Sequence, residues 1–215
     1  MLQTCAAWSS DPPVDPWSLT RADLEVQSGQ IESLPASGLR LRSAMTRAVL
    51  TRRDTVALEL SFVYRGPTRE FAPLASGEPR RQIGLELRAQ NTCNVVYAMW
   101  HIAPGQGLHV SVKLNPEQSN HSQCRDAGYV TLTPDFVVAH LAPIVEGQRR
   151  EMAAEIRGDR LDLWIDGGLA WSARLPPEAL QLQGPFGLRS DNAAFDVQLS
   201  GHQTSLRAAP PERAE

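Results

Sequence analysis

The sequence predicts an all-β protein, a sandwich of two antiparallel sheets. Three observations carry this. Apolar and polar residues alternate with period two in segment after segment. Turn-forming pairs punctuate those segments at roughly ten-residue intervals, as in two-sheet sandwiches. Helical periodicity is weak throughout. No linker divides the strand series, so the chain reads as an N-terminal arm (1–16), one β domain (17–201) and a frayed polar tail (202–215).

Taken in order, Pro16 to Val26 is expected to form one or two helical turns with Ser18 as N-cap. Val56, Leu58, Leu60 and Phe62 alternate with Ala57, Glu59 and Ser61 in the first long strand. Gly66 to Pro79 reads as a long loop, able to cap a cleft or merely connect strands. Ile83, Leu85 and Leu87 then alternate with Gly84, Glu86 and Arg88. The run from Asn94 to Ile102 is apolar on both parities, which predicts a central strand. After Pro104-Gly105, Val110, Val112 and Leu114 alternate with His109, Ser111, Lys113 and Asn115. Met152, Ala154 and Ile156 lead into Leu161, Leu163 and Ile165, and Asp166-Gly167 supplies the positive φ values of a tight hairpin. A short turn of helix is expected near Pro176 to Leu182, and Phe195, Val197 and Leu199 mark the last strand.

The chain has 215 residues, 42% of them hydrophobic and 21% charged, with a net charge of −3. That apolar content is enough to build a core and argues against extensive disorder. A sequence pI near 6.0 gives no global positive field for nucleic acid. No apolar run reaches membrane-spanning length. Lys113 is the only lysine; all other Lys/Arg positions are arginine, so arginine clusters such as Arg80-Arg81 carry no special weight.

Of three cysteines, Cys93 and Cys124 lie 31 positions apart without a zinc-type spacing, and a disulfide between them would mark an exported protein. The alternative is two buried thiols. Cys5 only loosely matches a bacterial lipidation site, since no basic or apolar leader precedes it in the given sequence. Secreted, periplasmic or surface-anchored locations all fit this expectation.

The order of the segments resembles the concanavalin A-like lectin/glucanase jelly roll, and within it the laminin-G-like and 3-keto-disaccharide hydrolase-like domains. The resemblance rests on Leu24–Ile31, Leu39–Leu41, Val56–Tyr64 and above all on the closing block. That block comprises Glu151–Ile156, Leu161–Gly167, Gly184-Pro185-Phe186-Gly187-Leu188 and Phe195–Leu199. It implies a jelly-roll sandwich and a saccharide ligand, while Cys93 to Pro134 has no counterpart in those domains. Fold likeness alone does not assign an activity.

Two constellations are candidates for chemistry. Tyr97 and His101 share one strand parity, and His109, Lys113 and Asn115 share the polar parity of the next strand. Where those faces coincide, a basic and aromatic cluster results, with Tyr97, His101 and Lys113 as candidate catalytic groups for a polysaccharide lyase or keto-glycoside hydrolase. His109 and Asn115 would join it as ligand-binding groups. The second constellation is Trp164 with Trp171, predicted by hairpin parity to share one sheet face and to stack on a sugar ring or be buried. The Glu-x-Asp-x-(x)-Glu pattern of jelly-roll glucanases is absent, and Asp159, Asp162 and Asp166 read as solvated turn residues. No cofactor is expected, and only Asp166, Asp191 and Asn192 hint at calcium. The leading expectation is a non-catalytic carbohydrate-binding or extracellular recognition domain. The alternatives are a polysaccharide-degrading enzyme and a structural or partner-binding module whose protein partner the sequence does not name.

Overall fold

The computed structural model describes residues 17–203; Cys5, the N-terminal arm and the end of the tail lie outside the described residues. Sixteen strands follow in chain order. They are β1 (Trp17–Leu19), β2 (Leu24–Ser28), β3 (Ile31–Ser33), β4 (Leu39–Leu41), β5 (Met45–Leu50), β6 (Ala57–Pro67), β7 (Arg81–Asn91) and β8 (Asn94–Ala103). Then come β9 (Gly107–Lys113), β10 (Tyr129–Thr131), β11 (Phe136–Val137), β12 (Arg149–Arg157), β13 (Arg160–Ile165), β14 (Gly168–Arg174), β15 (Gly187–Asp191) and β16 (Ala193–His202). Two helical turns, α1 (His121–Cys124) and α2 (Pro177–Leu180), are the only α-helical pieces among the described residues.

All pairings are antiparallel and fall into two sheets. Sheet A runs β11-β14-β13-β12-β6-β16-β4-β3, with β1 also on β16; sheet B runs β10-β9-β8-β7-β15-β5-β2. Strand alternation sorts the side chains. In β8, Val96, Ala98 and Trp100 point into the core between the sheets, where Trp100 meets Phe62 of β6 edge-on at 5.8 Å. Val95, Tyr97 and Met99 point the other way and join Val49 and Ala89 in a separate apolar cluster on the outer face of sheet B. Sheet B is thus buried on both faces, as the unbroken apolar run of β8 predicts.

The N-terminal segment differs from expectation. Trp17 to Leu19 pair with Gly201 to Leu199 rather than coiling, and only Arg21–Asp23 form a single 3-10 turn. Its cap is Thr20, not Ser18: Asp23 Oδ2 accepts the Thr20 N–H at 2.8 Å. Pairing with β16 satisfies several backbone groups at once, which outweighs a marginal isolated turn of helix.

The tryptophan hairpin also differs, and a bulge is the reason. Its turn is Asp166-Gly167, with φ of 48° and 79°, and Ile165 pairs with Gly168 and Trp164 with Leu169. Between Leu163 and Trp164 the register shifts, so Trp171 lies opposite Leu163 rather than Asp162. One extra residue in β14 reverses the parity beyond it. Trp171, 2% exposed, therefore sits in the core, while Trp164, 6% exposed, is buried on the other side of the sheet. The two indoles do not share a face and neither offers a ring to a sugar.

The same hairpin corrects one further expectation. Asp162 is a buried strand residue, not a solvated turn residue: it accepts from Arg157 Nη2 at 2.9 Å, Arg160 Nε at 3.0 Å and the Ser172 hydroxyl. Asp159 and Asp166 do stand at turns, each paired with an arginine.

Candidate functional site

Three cross-strand rows on the outer face of sheet B underlie a cleft. Arg47, Arg189, Gly84, Met99 and His109 form the central row, each opposite the next in register. To one side run Val49, Gly187, Glu86, Tyr97, Ser111 and Thr131; to the other, Met45, Asp191, Gln82, His101 and Gly107. The faces of β8 and β9 thus coincide, and Tyr97, His101, His109 and Lys113 all lie on the same side of the sheet. At the centre Gly84 keeps the floor low. A Cβ there would stand 2.1 Å from the Ala98 carbonyl oxygen and 2.9 Å from Met99 Sδ.

Two loops wall the cleft. The segment between β6 and β7 brings Leu74, Ala75, Ser76 and Arg80 to it. That loop is pinned by Asn192, whose Nδ2 donates to the Ala72 and Arg80 carbonyls at 2.8 and 3.0 Å and whose Oδ1 accepts the Ala72 N–H at 2.8 Å. The opposite wall is the segment between β9 and β10, which carries His121 and Asp126 to the cleft. Cys93 and Cys124 are joined in a disulfide that fastens this segment to the end of β8. Asn94 donates to Asn115 O and Gln118 O at 3.0 and 2.8 Å, and Asn115 Nδ2 donates to Cys93 O and Ala127 O at 3.2 and 3.0 Å. Asn115 therefore braces the wall, its amide donors taken up by carbonyls. The enclosed space is about 340 Å³, of small-ligand size.

Ion pairs sit beneath this surface. Arg189 donates from Nε and Nη2 to both oxygens of Asp191, at 2.8 and 3.2 Å, and Gln82 Nε2 donates to the same carboxylate at 2.6 Å. Arg47 Nε lies 3.5 Å from Glu86 Oε1. The two guanidiniums flank the Tyr97 ring, with their carbons 5.6 Å (Arg47) and 5.1 Å (Arg189) from its centroid. All of these groups are buried. Burial pushes the Glu86 carboxyl up, against the pull of Arg47 and Arg189. Burial likewise raises the Tyr97 phenol, with the Glu86 charge adding to it.

The imidazoles of His101 and His109 stack in parallel, 3.7 Å between centroids and 9° apart in plane. Arg80 Nη1 lies 3.4 Å from His101 Nε2. Burial, His109 and Arg80 together pull His101 down to about 3, and burial with Arg80 lowers His109. Both rings are therefore neutral at ordinary pH. Lys113 is fully buried and does not line the cleft. Its Nζ donates to the Arg125 carbonyl at 2.5 Å and faces the Tyr129 ring at 5.0 Å, and burial with Arg47 and Arg189 pulls it down to about 8. Tyr129 in turn stacks on Tyr97 at 5.9 Å.

The structure thus gathers Tyr97, His101 and His109 at the cleft, sets Lys113 behind it, and gives Asn115 a bracing role. Arg47, Arg80, Gln82, Glu86, Arg189 and Asp191 also belong to the site, although neither constellation contained them. Gln82 and Glu86 were signalled by their outward parity on β7 beside β8; Arg80 precedes β7, and Arg47, Arg189 and Asp191 reach the site only through the sheet order β7-β15-β5. The three residues considered for calcium are engaged elsewhere, Asp166 by Arg150, Asp191 by Arg189 and Asn192 by the loop. Among the described residues no three His, Cys, Asp or Glu side chains group as a metal site, and no helix is long and apolar enough to cross a membrane.

No protein-family model and no curated protein matches the chain. Solved structures do. A carbohydrate-binding module from Bacillus subtilis superposes with a TM-score of 0.57 at 13% identity, over 81% of this chain and 91% of that one. The fold is the concanavalin A-like jelly roll. A structure described with endo-acting O-glycanases of the human gut microbiota gives 0.52 at 9% identity, over 86% and 93% of the two chains. A Crh5 transglycosylase in complex with NAG gives 0.50 at 10%, over 91% and 88%. At such identities the likeness concerns the fold alone, and the site rests on its own geometry.

Proposed function

We propose that this protein is a non-catalytic saccharide-binding domain that works outside the cytoplasm and binds its ligand in the cleft on sheet B. The observation that carries this reading is the pair of guanidiniums of Arg47 and Arg189 flanking Tyr97, each backed by a buried carboxylate, in the floor of a small-ligand cleft. Fixed donors beside the exposed Tyr129 ring, which stacks on Tyr97 and lines the cleft, suit a polyhydroxylated ring, and their preorganisation lowers the entropic cost of binding. The similar solved structures include a carbohydrate-binding module and glycan-processing proteins, which supports a saccharide as the ligand class. The Cys93–Cys124 disulfide supports an oxidising compartment.

The way the titratable groups are occupied supports binding without turnover. Glu86 and Asp191 hold arginines and do not line the cleft. Lys113 is engaged with Arg125 O behind Tyr129, and the Tyr97 phenol is held protonated. Calorimetric titration against plant, algal and bacterial polysaccharides tests the reading. Saturable binding that disappears in Ser111→Trp, which fills the cleft beside Tyr97, is the expected result. Silence across the panel, or binding untouched by that substitution, would sink it. The stacked His101–His109 pair beside Arg80 favours one second reading, a lyase in which a neutral imidazole accepts a proton. Appearance of unsaturated, ultraviolet-absorbing products during the same titrations would establish it.

A further inference from the structure

We propose that the ligand of this cleft is an acidic saccharide whose sugar carboxylate docks on Arg47 and Arg189; this rests on the saccharide-binding reading above. The charged lining of the cleft is unbalanced. Arg47, Arg80 and Arg189 face it, and Asp126 is the one carboxylate among its described lining residues. Glu86 and Asp191 lie behind the surface, where they fix the guanidiniums without covering the cleft.

Hydrogen bonding is unbalanced in the same sense. Arg47 is 4% exposed and its guanidinium makes no hydrogen bond among the described residues; its contacts are Glu86 at 3.5 Å and the Tyr97 ring. A guanidinium carries five donors in a planar fork, and a buried one left without acceptors is costly. Arg189 directs Nε and Nη2 to Asp191 and keeps Nη1 free of any hydrogen bond among the described residues. The buried hydroxyl of Tyr97 is also unpartnered there.

A neutral sugar answers these donors poorly, because each hydroxyl that accepts also brings a donor needing its own acceptor. A carboxylate brings acceptors only and matches the planar fork with two parallel bonds. The local field agrees. Beyond burial, arginine charge pushes His101, His109, His121 and Lys113 alike toward their neutral forms. Four groups, on β8, β9 and the helical turn α1, thus register the same positive potential, into which an anion fits.

The test compares matched ligands. Oligogalacturonate, oligoguluronate, oligomannuronate and glucuronate-containing oligosaccharides are titrated calorimetrically beside their methyl esters, which keep ring stereochemistry and remove the charge. At least one free acid is expected to bind about tenfold or more tightly than its ester, since a charge-assisted hydrogen bond contributes more than a neutral one. That preference should shrink in 0.5 M NaCl (about a 4 Å Debye length). It should also shrink in Arg47→Gln and in Arg80→Gln, the latter leaving the buried pairs intact, while Arg65→Gln on sheet A leaves it unchanged. Equal binding of acid and ester, or binding of neutral glycans only, overturns the acidic ligand and leaves the saccharide site standing. Acid binding that survives both Arg47→Gln and Ser111→Trp places the ligand elsewhere and overturns both readings, as does silence across the whole set.

Discussion

The outer face of sheet A around β16 and the outer face of sheet B use the same chemical inventory to opposite ends. On sheet A, Asp196 accepts from Arg40 Nε at 2.8 Å and Arg65 Nε at 2.9 Å, and Arg149 Nη1 reaches Ser61 Oγ and Gln198 Oε1 at 2.8 and 3.0 Å. Those arginines remain in contact with water. On sheet B the pairs Arg189–Asp191 and Arg47–Glu86 lie under two walls, and donors remain that the protein itself does not satisfy. The difference lies in coverage rather than composition. Removing water from one sheet face turns ordinary strand-surface ion pairs into a high-stakes polar floor.

The sharpest way to break this contrast is to remove one arginine from each face. Arg189→Ala strands a 1%-exposed Asp191 without its cation, and by the cost of breaking a buried pair it should destabilise by about 3–5 kcal/mol. Arg65→Ala removes a half-exposed partner that Asp196 shares with Arg40, and should cost under about 1 kcal/mol. Urea unfolding of both variants checks this, and equal losses would mean that coverage does not set the stakes. Next in size is the wall itself. Replacing Cys93 and Cys124 together by serine should lower stability by about 3–4 kcal/mol, from a loop closed over 31 residues. The cleft should loosen more than the fold: hydrogen exchange should rise in 115–128 while the β6, β12 and β16 amides stay protected.

These two regions also differ in how well the sequence announces them. The β8–β9 hairpin keeps simple alternation, Tyr97 opposite Ser111 and Met99 opposite His109, so parity alone brings Tyr97, His101, His109 and Lys113 to one face. The β13–β14 hairpin has as clear a turn, but its bulge carries no signature in Gly168-Leu169-Ala170-Trp171, and parity past it fails. Arg47 and Arg189 were hidden for a different reason. Arg47 is a lone charge in a short strand and Arg189 shares one with Asp191, and only the order of the sheet, β8-β7-β15-β5, brings them beside Tyr97. Sheet order comes from long-range pairing, which local patterning does not encode. The disulfide was legible as a spacing, while its task of holding His121 and Asp126 over the floor was not.

Protonation probes the covered face without changing its shape. His101 has its ring pulled down to about 3 from the ordinary 6.5, so between those values the unfolded chain binds a proton that the folded one refuses. The stability tied to its neutral form is complete above pH 6.5 and is lost as pH falls toward 3. A shift of that size corresponds to at most about 5 kcal/mol, and because the cleft admits water to the charged ring we expect about 2 kcal/mol. His101→Gln should flatten the acid limb of the stability curve by that amount. An unchanged limb would mean that sheet B's outer face is wetter than its burial implies.

The smallest effect has the opposite sign, and it tests whether burying charge here serves stability at all. Lys113 is fully buried, and the Arg125 carbonyl, the Tyr129 ring and the charge of Asp126 answer its ammonium. Pulled down to about 8 from 10.5, its neutral form is the one the fold prefers. At pH 7 the lysine is protonated in both states, so the fold bears the desolvation of that charge. Lys113→Met keeps the length and the contact with Tyr129 and removes the charge, and it should stabilise by about 1 kcal/mol at pH 7. As pH rises from 8 to 10.5 the wild-type lysine loses its proton in the folded state first, wild-type stability climbs, and the advantage of methionine should close. A gain that persisted undiminished at pH 10.5 would assign it to packing, and a loss at pH 7 would show that the bond to Arg125 O outweighs the desolvation.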